Sequence, residues 1–205
     1  MTADRLEPPR TRARQQRSRD TELLLIEAAL RALVEYGYAG ASTLRIQRLA
    51  GVSRGRLLHH FPSRDALLIA AVRHLVHRRL EESPTSIDPA LGPEERIDAA
   101  VTAMWLSYHS EMFWASAELW LASRQVPELR RSLLPSEQQM GAALAESCGR
   151  LFGPDLAARP GYADLRELLN TSMRGVAFTY AFTERDPSTD PHLPGWRRLA
   201  RGVLL

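Results

Sequence analysis

Residues Ser42 to Leu68 read STLRIQRLAGVSRGRLLHHFPSRDALL, two short helical runs separated by about one turn at LAGVS. So brief a break constrains both sides of it. Small Ala50 and Gly51 let the helices approach, and Gly51 can take positive φ to stop the first of them. Val52 is placed to pack beneath the turn, and Ser53 can cap the second helix, Arg54 to about His60. Ser42 and Thr43 are both good caps for the first, which runs to Ala50 on apolar Leu44, Ile46 and Leu49. Pro62 ends the pair and restrains Phe61 to an extended form. Two short helices joined by a glycine-containing turn form a helix-turn-helix unit.

The rest of the chain is helical in pattern too. In DTELLLIEAALRALVEY, residues 20–36, Ile26, Leu30, Leu33 and Val34 fall on one face, and Gly37 is placed to end the helix before a GYAGA loop. Ser63 caps a long helix with Asp65 in its positive first turn and Leu68, Val72, Leu75 and Val76 as its buried stripe. SPTSIDPALGPEE is a linker by composition. Helical patterns return at 93–109, 111–123, 127–151, 162–184 and 193–204, with Pro135 expected to kink or split the third. No strand alternation is evident. The expectation is an all-α chain: a flexible basic arm at 1–19, a helix-turn-helix domain at 20–82, and a helical domain at 83–205.

Charge is divided unevenly. All 27 basic residues are arginine; residues 1–80 hold 15 of them against 7 carboxylates, and residues 81–205 hold 12 against 17. The absence of lysine is global and fits a coding preference better than a function. The basic front points to a polyanionic partner, and Arg10, Arg12, Arg14, Arg17 and Arg19 are placed to neutralise phosphate or reach a minor groove, or simply to solubilise a tail. The lone Cys148 excludes an internal disulfide and reads as a half-buried core residue. No apolar run reaches the ~18 residues of a membrane span, and the polar N-terminus lacks a signal-peptide core. A soluble cytoplasmic protein is expected.

The residue types in the turn and second helix suit base reading. Arg54, Gly55 and Arg56 occupy the helix's first turn, the part of a recognition helix that meets base edges in a major groove. Arginine donates two bonds to guanine O6 and N7, and glycine allows close backbone approach. The free N–H groups at Ser42 and Thr43 suit a phosphate. AGVSRGRLLHHFPSRDALL, preceded by GYAGASTLRI, resembles the DNA-binding domain of the TetR family of transcriptional regulators over roughly residues 20–80. The resemblance implies DNA contacts at Thr43, Arg54, Gly55, Arg56 and His59, and backbone contacts at His60 and Arg64. It also implies a homodimer formed through the last two long helices, a small-molecule effector, and most often repression. Two positions depart from the family: Leu58 stands where a phosphate-contacting tyrosine is usual, and Gln47 where alanine is usual.

The segment VTAMWLSYHSEMFWASAELWLASR holds Trp105, Tyr108, Met112, Phe113, Trp114 and Trp120. Such rings either line a pocket for an apolar, ring-bearing ligand or pack as ordinary core. Glu118, Arg124, Asn170 and Arg174 are the candidate polar groups beside them. Small Gly175, Ala177 and Ala181 allow close helix approach in the penultimate helix, which with the last one suits an intermolecular bundle or the closure of a monomer core. His74 and His77 lie i, i+3 but lack a third ligand beside them, and no HExxH, phosphate loop or GxSxG occurs, so neither a metal nor a cofactor is expected. Two other readings stand beside the regulator: a small helical enzyme acting on an apolar substrate, and an architectural DNA binder without effector.

Overall fold

The computed structural model describes residues 9–82, 87–88 and 90–205, without the side chains of 9–14 and 79–82. The first eight residues of the expected arm, the side chains of Arg10, Arg12 and Arg14, and residues 83–86 and 89 of the expected linker lie outside the described residues. The described chain is all-α: α1 (Pro9–Gly40), α2 (Thr43–Ala50), α3 (Arg54–His60), α4 (Arg64–Glu82), α5 (Pro93–Ser107), α6 (Glu111–Ser123), α7 (Pro127–Phe152), α8 (Pro154–Ala157), α9 (Tyr162–Thr179) and α10 (Leu193–Leu204). No strand occurs among the described residues.

The chain forms two compact units, one of residues up to 74 together with 118–133, the other of 75–117 together with 134–205. The sequence places one boundary near residue 82; the units instead divide within α4, α6 and α7, helices that continue from one unit into the other.

In the first unit, α1 buries Leu25, Ile26, Ala28, Ala29, Leu30, Ala32 and Leu33. Val34 lies outside this stripe and is 40% exposed, contrary to the face read from the sequence. The alanines supply what the larger residues cannot, a surface flat enough for α2 to lie close against α1. Residues 9–19 are helical where the sequence suggests a flexible arm. Pro9 opens the helix at the position proline tolerates, and TRARQQRSR is rich in good helix formers. Gly37, at φ 64° and ψ 179°, breaks α1 in a conformation reserved for glycine, and Tyr38–Gly40 form a further turn in place of the expected loop. The α4 stripe Leu68, Val72, Leu75 and Val76 is buried as expected.

In the second unit, α10 packs on α5 and α9. It buries Leu193, Trp196, Ala200 and Leu204. Its Arg201 pairs with Asp98 and lies 3.7 Å from Glu94. The Trp196 indole donates to Ser172 Oγ at 2.9 Å. α7 runs unbroken through Pro135, which therefore does not split it. α9 ends at Thr179, short of the expected 184, and the following loop is tied down by buried Asp190. Burial alone would raise the Asp190 carboxyl; bonds from the Tyr180 hydroxyl and from the His192 amide and ring outweigh it and hold the carboxyl below its ordinary value. No helix among the described residues is long and apolar enough to cross a membrane.

Candidate nucleic-acid interface

The helix pair is built by local chemistry that the sequence already displays. Ser42 Oγ accepts the Arg45 N–H at 3.3 Å, capping α2, and Gly51 ends it in the left-handed conformation at φ 66°, ψ 29°. Ser53 Oγ then accepts the Arg56 N–H at 3.4 Å and starts α3. Ile46 in α2 and Leu57 in α3 are fully buried, the sole buried residues of these two helices. With that one anchor per helix, five of the seven residues of α3 are exposed, while α2 exposes Leu44 and Arg48.

Arg54, Gly55, Arg56, Leu58 and His59 are all exposed on α3, with Ser53 beside them. A Cβ added at Gly55 would meet nothing within 4 Å, so the backbone there is open to close approach. His60 is half-buried, its ring edge-to-face with His59 at 5.4 Å. On α2, Ser42 and Arg48 are exposed while Thr43 and Gln47 are half-buried. Leu44, expected among the apolar packing residues, is 56% exposed. The sequence carries a further signal here: between Glu35 and Asp65 there is no carboxylate, while five arginines (45, 48, 54, 56 and 64) occur. That stretch therefore carries positive charge without a competing acid.

Two of those arginines are spent internally. Arg64 lies 4.2 Å from the Tyr38 ring centre, donates to the Tyr38 carbonyl at 3.4 Å and pairs with Asp65 at 3.3 Å. Its guanidinium shapes the turn before α2, and the backbone contact that the resemblance implies would have to share it. Arg45 lies 4.0 Å from the Tyr36 ring centre and donates to the Gly40 carbonyl at 2.6 Å.

The aromatic segment separates into different surroundings. Trp105 is fully buried; its indole N–H donates to the Pro187 carbonyl at 2.7 Å, and its ring packs against His109, Tyr180 and Trp196 at 4.5, 5.7 and 4.9 Å. That is the surrounding of a core residue. Tyr108 is half-buried and donates to Asn170 Oδ1 at 2.9 Å. Burial pushes its hydroxyl up to about 12 against the opposing charge of nearby Arg174. Tyr108, Asn170 and Arg174, separate in the sequence, are thus brought together. Phe113 is buried and packs on Tyr108 at 5.3 Å and Phe178 at 5.4 Å; Met112 is half-buried, and Arg174 is exposed overall. Trp120, half-buried, belongs to the first unit, as does Glu118, whose carboxylate is taken up by the Tyr38 backbone rather than left free for a guest. Cys148 is half-buried and burial raises its thiol, as suits an inert residue. No cluster of metal-ligating side chains occurs among the described residues.

Residues 25–71 match the sequence profile of the bacterial regulatory proteins, tetR family. The HTH-type transcriptional regulator BetI of Ectopseudomonas mendocina (strain ymp) is 31% identical over 173 residues, covering 75% of this chain and 83% of that protein. Among solved structures, Salmonella enterica GusR superposes with a TM-score of 0.62 at 19% identity, over 90% of this chain and 95% of its own. The multidrug binding protein EbrR, complexed with proflavin, superposes with a TM-score of 0.56 at 21% identity, over 89% of this chain and 99% of its own.

Proposed function

The chain belongs to the tetR family of bacterial regulatory proteins, and from that membership we propose that it is a dimeric repressor released from a pseudo-palindromic operator by a small, apolar, ring-bearing ligand. It is a DNA-binding regulator and not an enzyme, as its matched relatives are. The observation that carries the DNA reading is the exposed first turn of α3, where Arg54 and Arg56 flank Gly55 on a helix capped by Ser53. In the proposed complex those arginines reach base edges. Thr43 and the α2 N-terminus meet phosphate, with Ser42 and Ser53 shaping the two helix starts. His59 and His60 extend the contact along α3. A twofold dimer would place two such helices in successive major grooves, roughly 34 Å apart. The test is which fragments of its own genome the purified protein retains at physiological salt; retention without enrichment of any sequence overturns the reading.

The ligand proposal rests on Tyr108, Met112, Phe113 and Arg174, all in the second unit. Flat apolar rings beside one hydroxyl, one amide and one guanidinium suit a ring-bearing guest with a polar end. The binding of proflavin by EbrR, a protein of the same fold, supports a guest of that shape. A ligand can release DNA only through its differential affinity for the DNA-competent and incompetent states.

Dimerisation through residues 162–205 has support in the faces that α9 and α10 leave uncovered. Leu168 is 54% exposed, and Leu199 and Val203, one turn apart on α10, are 40% and 39% exposed. Sedimentation at micromolar concentration should show a dimer, and Leu199→Glu with Val203→Glu should return it to monomer. A wild-type protein that stays monomeric under those conditions contradicts the assembly.

Deleting residues 1–19 should weaken DNA binding and flatten its dependence on salt, because six arginines leave with the segment. The preferred duplex should be unchanged. An unaltered salt slope would remove the N-terminal segment from the interface.

A further inference from the structure

The turn that leads into α2 is held from three directions. Gly37 breaks α1 at φ 64°, ψ 179°. The next residue, Tyr38, donates its backbone N–H to Glu118 Oε2 on α6 at 2.7 Å. A Cβ built on Gly37 would stand 2.9 Å from that oxygen, so the carboxylate occupies the space where any other side chain would begin. From α4, Asp65 accepts the Tyr38 hydroxyl at 3.0 Å and Arg64 covers its ring. From α2 itself, Arg45 donates to the Gly40 carbonyl. Two residues later Ser42 caps α2. Whatever fixes Gly37 to Gly40 therefore fixes where α2 begins, and α3 follows from α2 across one turn.

We propose that Glu118 is a positioning residue for DNA recognition: its carboxylate clamps the Gly37–Tyr38 turn and so sets how α2 and α3 are presented. The inference rests on the reading of α2–α3 as the DNA-binding pair. Of the three anchors, Arg64 and Asp65 lie on the element that directly follows the pair, and Arg45 lies within it. Glu118 alone comes from a distant part of the chain, 80 residues on. A hydrogen bond to an ionised acceptor is about twice as strong as one between neutral groups, and this one removes a freedom the glycine would otherwise leave to the backbone.

The test uses the full-length protein and the duplex it selects from a random-sequence library. Glu118→Ala should lose about tenfold or more in affinity for that duplex, the expected effect of removing a hydrogen bond to a charged group. It should bind an unselected duplex of the same length as the parent does, because every arginine remains. Glu118→Gln, whose amide oxygen can still accept the Tyr38 N–H, should restore binding to within about threefold. Gly37→Ala should resemble Glu118→Ala, and the double variant should lose less than the two single losses combined, since both act on one interaction. Melting curves establish that each variant is folded at the assay temperature; if Glu118→Ala is not, Glu118→Met, which keeps the volume and removes the acceptor, takes its place. Unchanged affinity for the selected duplex overturns the inference. So does an equal loss on selected and unselected DNA, or a Glu118→Gln variant as impaired as Glu118→Ala. A parent protein that enriches no sequence overturns the DNA reading and this inference with it; enrichment by the parent alongside unaffected Glu118 variants overturns this inference alone.

Discussion

Replacing Arg54 or Arg56 by alanine is expected to lower affinity for the selected operator by about tenfold to a hundredfold, the worth of one bidentate guanine contact, while leaving binding to unselected DNA almost unchanged. The reasoning starts from position. Both side chains lie on the exposed first turn of α3, and no carboxylate occurs in the chain between Glu35 and Asp65 to pair with them locally. Each guanidinium lies on a helix fixed by its Ser53 cap and by fully buried Leu57, and forms no ion pair among the described residues. The operator selected by each variant should also become degenerate at one base pair in each half-site. The measurement is a parallel titration of the selected duplex and a random one, followed by reselection with the variant. Equal weakening on both duplexes would make the arginine a phosphate contact, and Arg48, also exposed on α2, would become the next candidate for base reading.

What the sequence discloses and what it conceals follow one physical division. The caps at Ser42, Gly51, Ser53 and Ser63 are legible because each depends on backbone groups within three residues. The helix-turn-helix and its exposed arginines could therefore be placed from the sequence. The contact of Arg64 with Tyr38 is not legible there, because its partner lies 26 residues earlier and nothing local reports it. The same holds for Glu118. It reads as a polar neighbour of aromatic rings until the fold brings it to the amide of Tyr38. Periodicity finds the buried face of a helix but not its width, so it places Val34 and Leu44 on packing faces that end before them. The helical start at Pro9 was hidden for a different reason. A run of arginines suggests an unfolded tail by charge, while the same residues have good helix propensity, and the continuous helix behind them lets propensity prevail.

Trp105→Ala should destabilise the second unit by roughly 3–5 kcal/mol, the usual cost of emptying a large aromatic site, and its effect on ligand response should be secondary to that loss. The sequence leaves Trp105 open as a pocket wall or a core residue. The surroundings favour the core. No part of the residue is exposed, and its ring contacts three others. Its indole N–H is satisfied by the carbonyl of Pro187, 82 residues on, in the loop that buried Asp190 holds in place. Removing the ring leaves a cavity, strips the loop of its bond to α5, and exposes the neighbouring faces of Tyr180 and Trp196 to the void. Trp105→Phe separates these costs: it keeps much of the apolar volume and forfeits the hydrogen bond, so it should lose roughly 1–3 kcal/mol. Urea titration followed by circular dichroism measures both. Tyr108→Phe supplies the contrast, because its hydroxyl serves Asn170 near Arg174 in surroundings that remain half open. That variant should change stability little and alter the tryptophan fluorescence response to a ring-bearing ligand. If Trp105→Ala instead unfolds within about 1 kcal/mol of the parent and abolishes that response, the Trp105 ring is a wall of the ligand site and the core assignment is wrong.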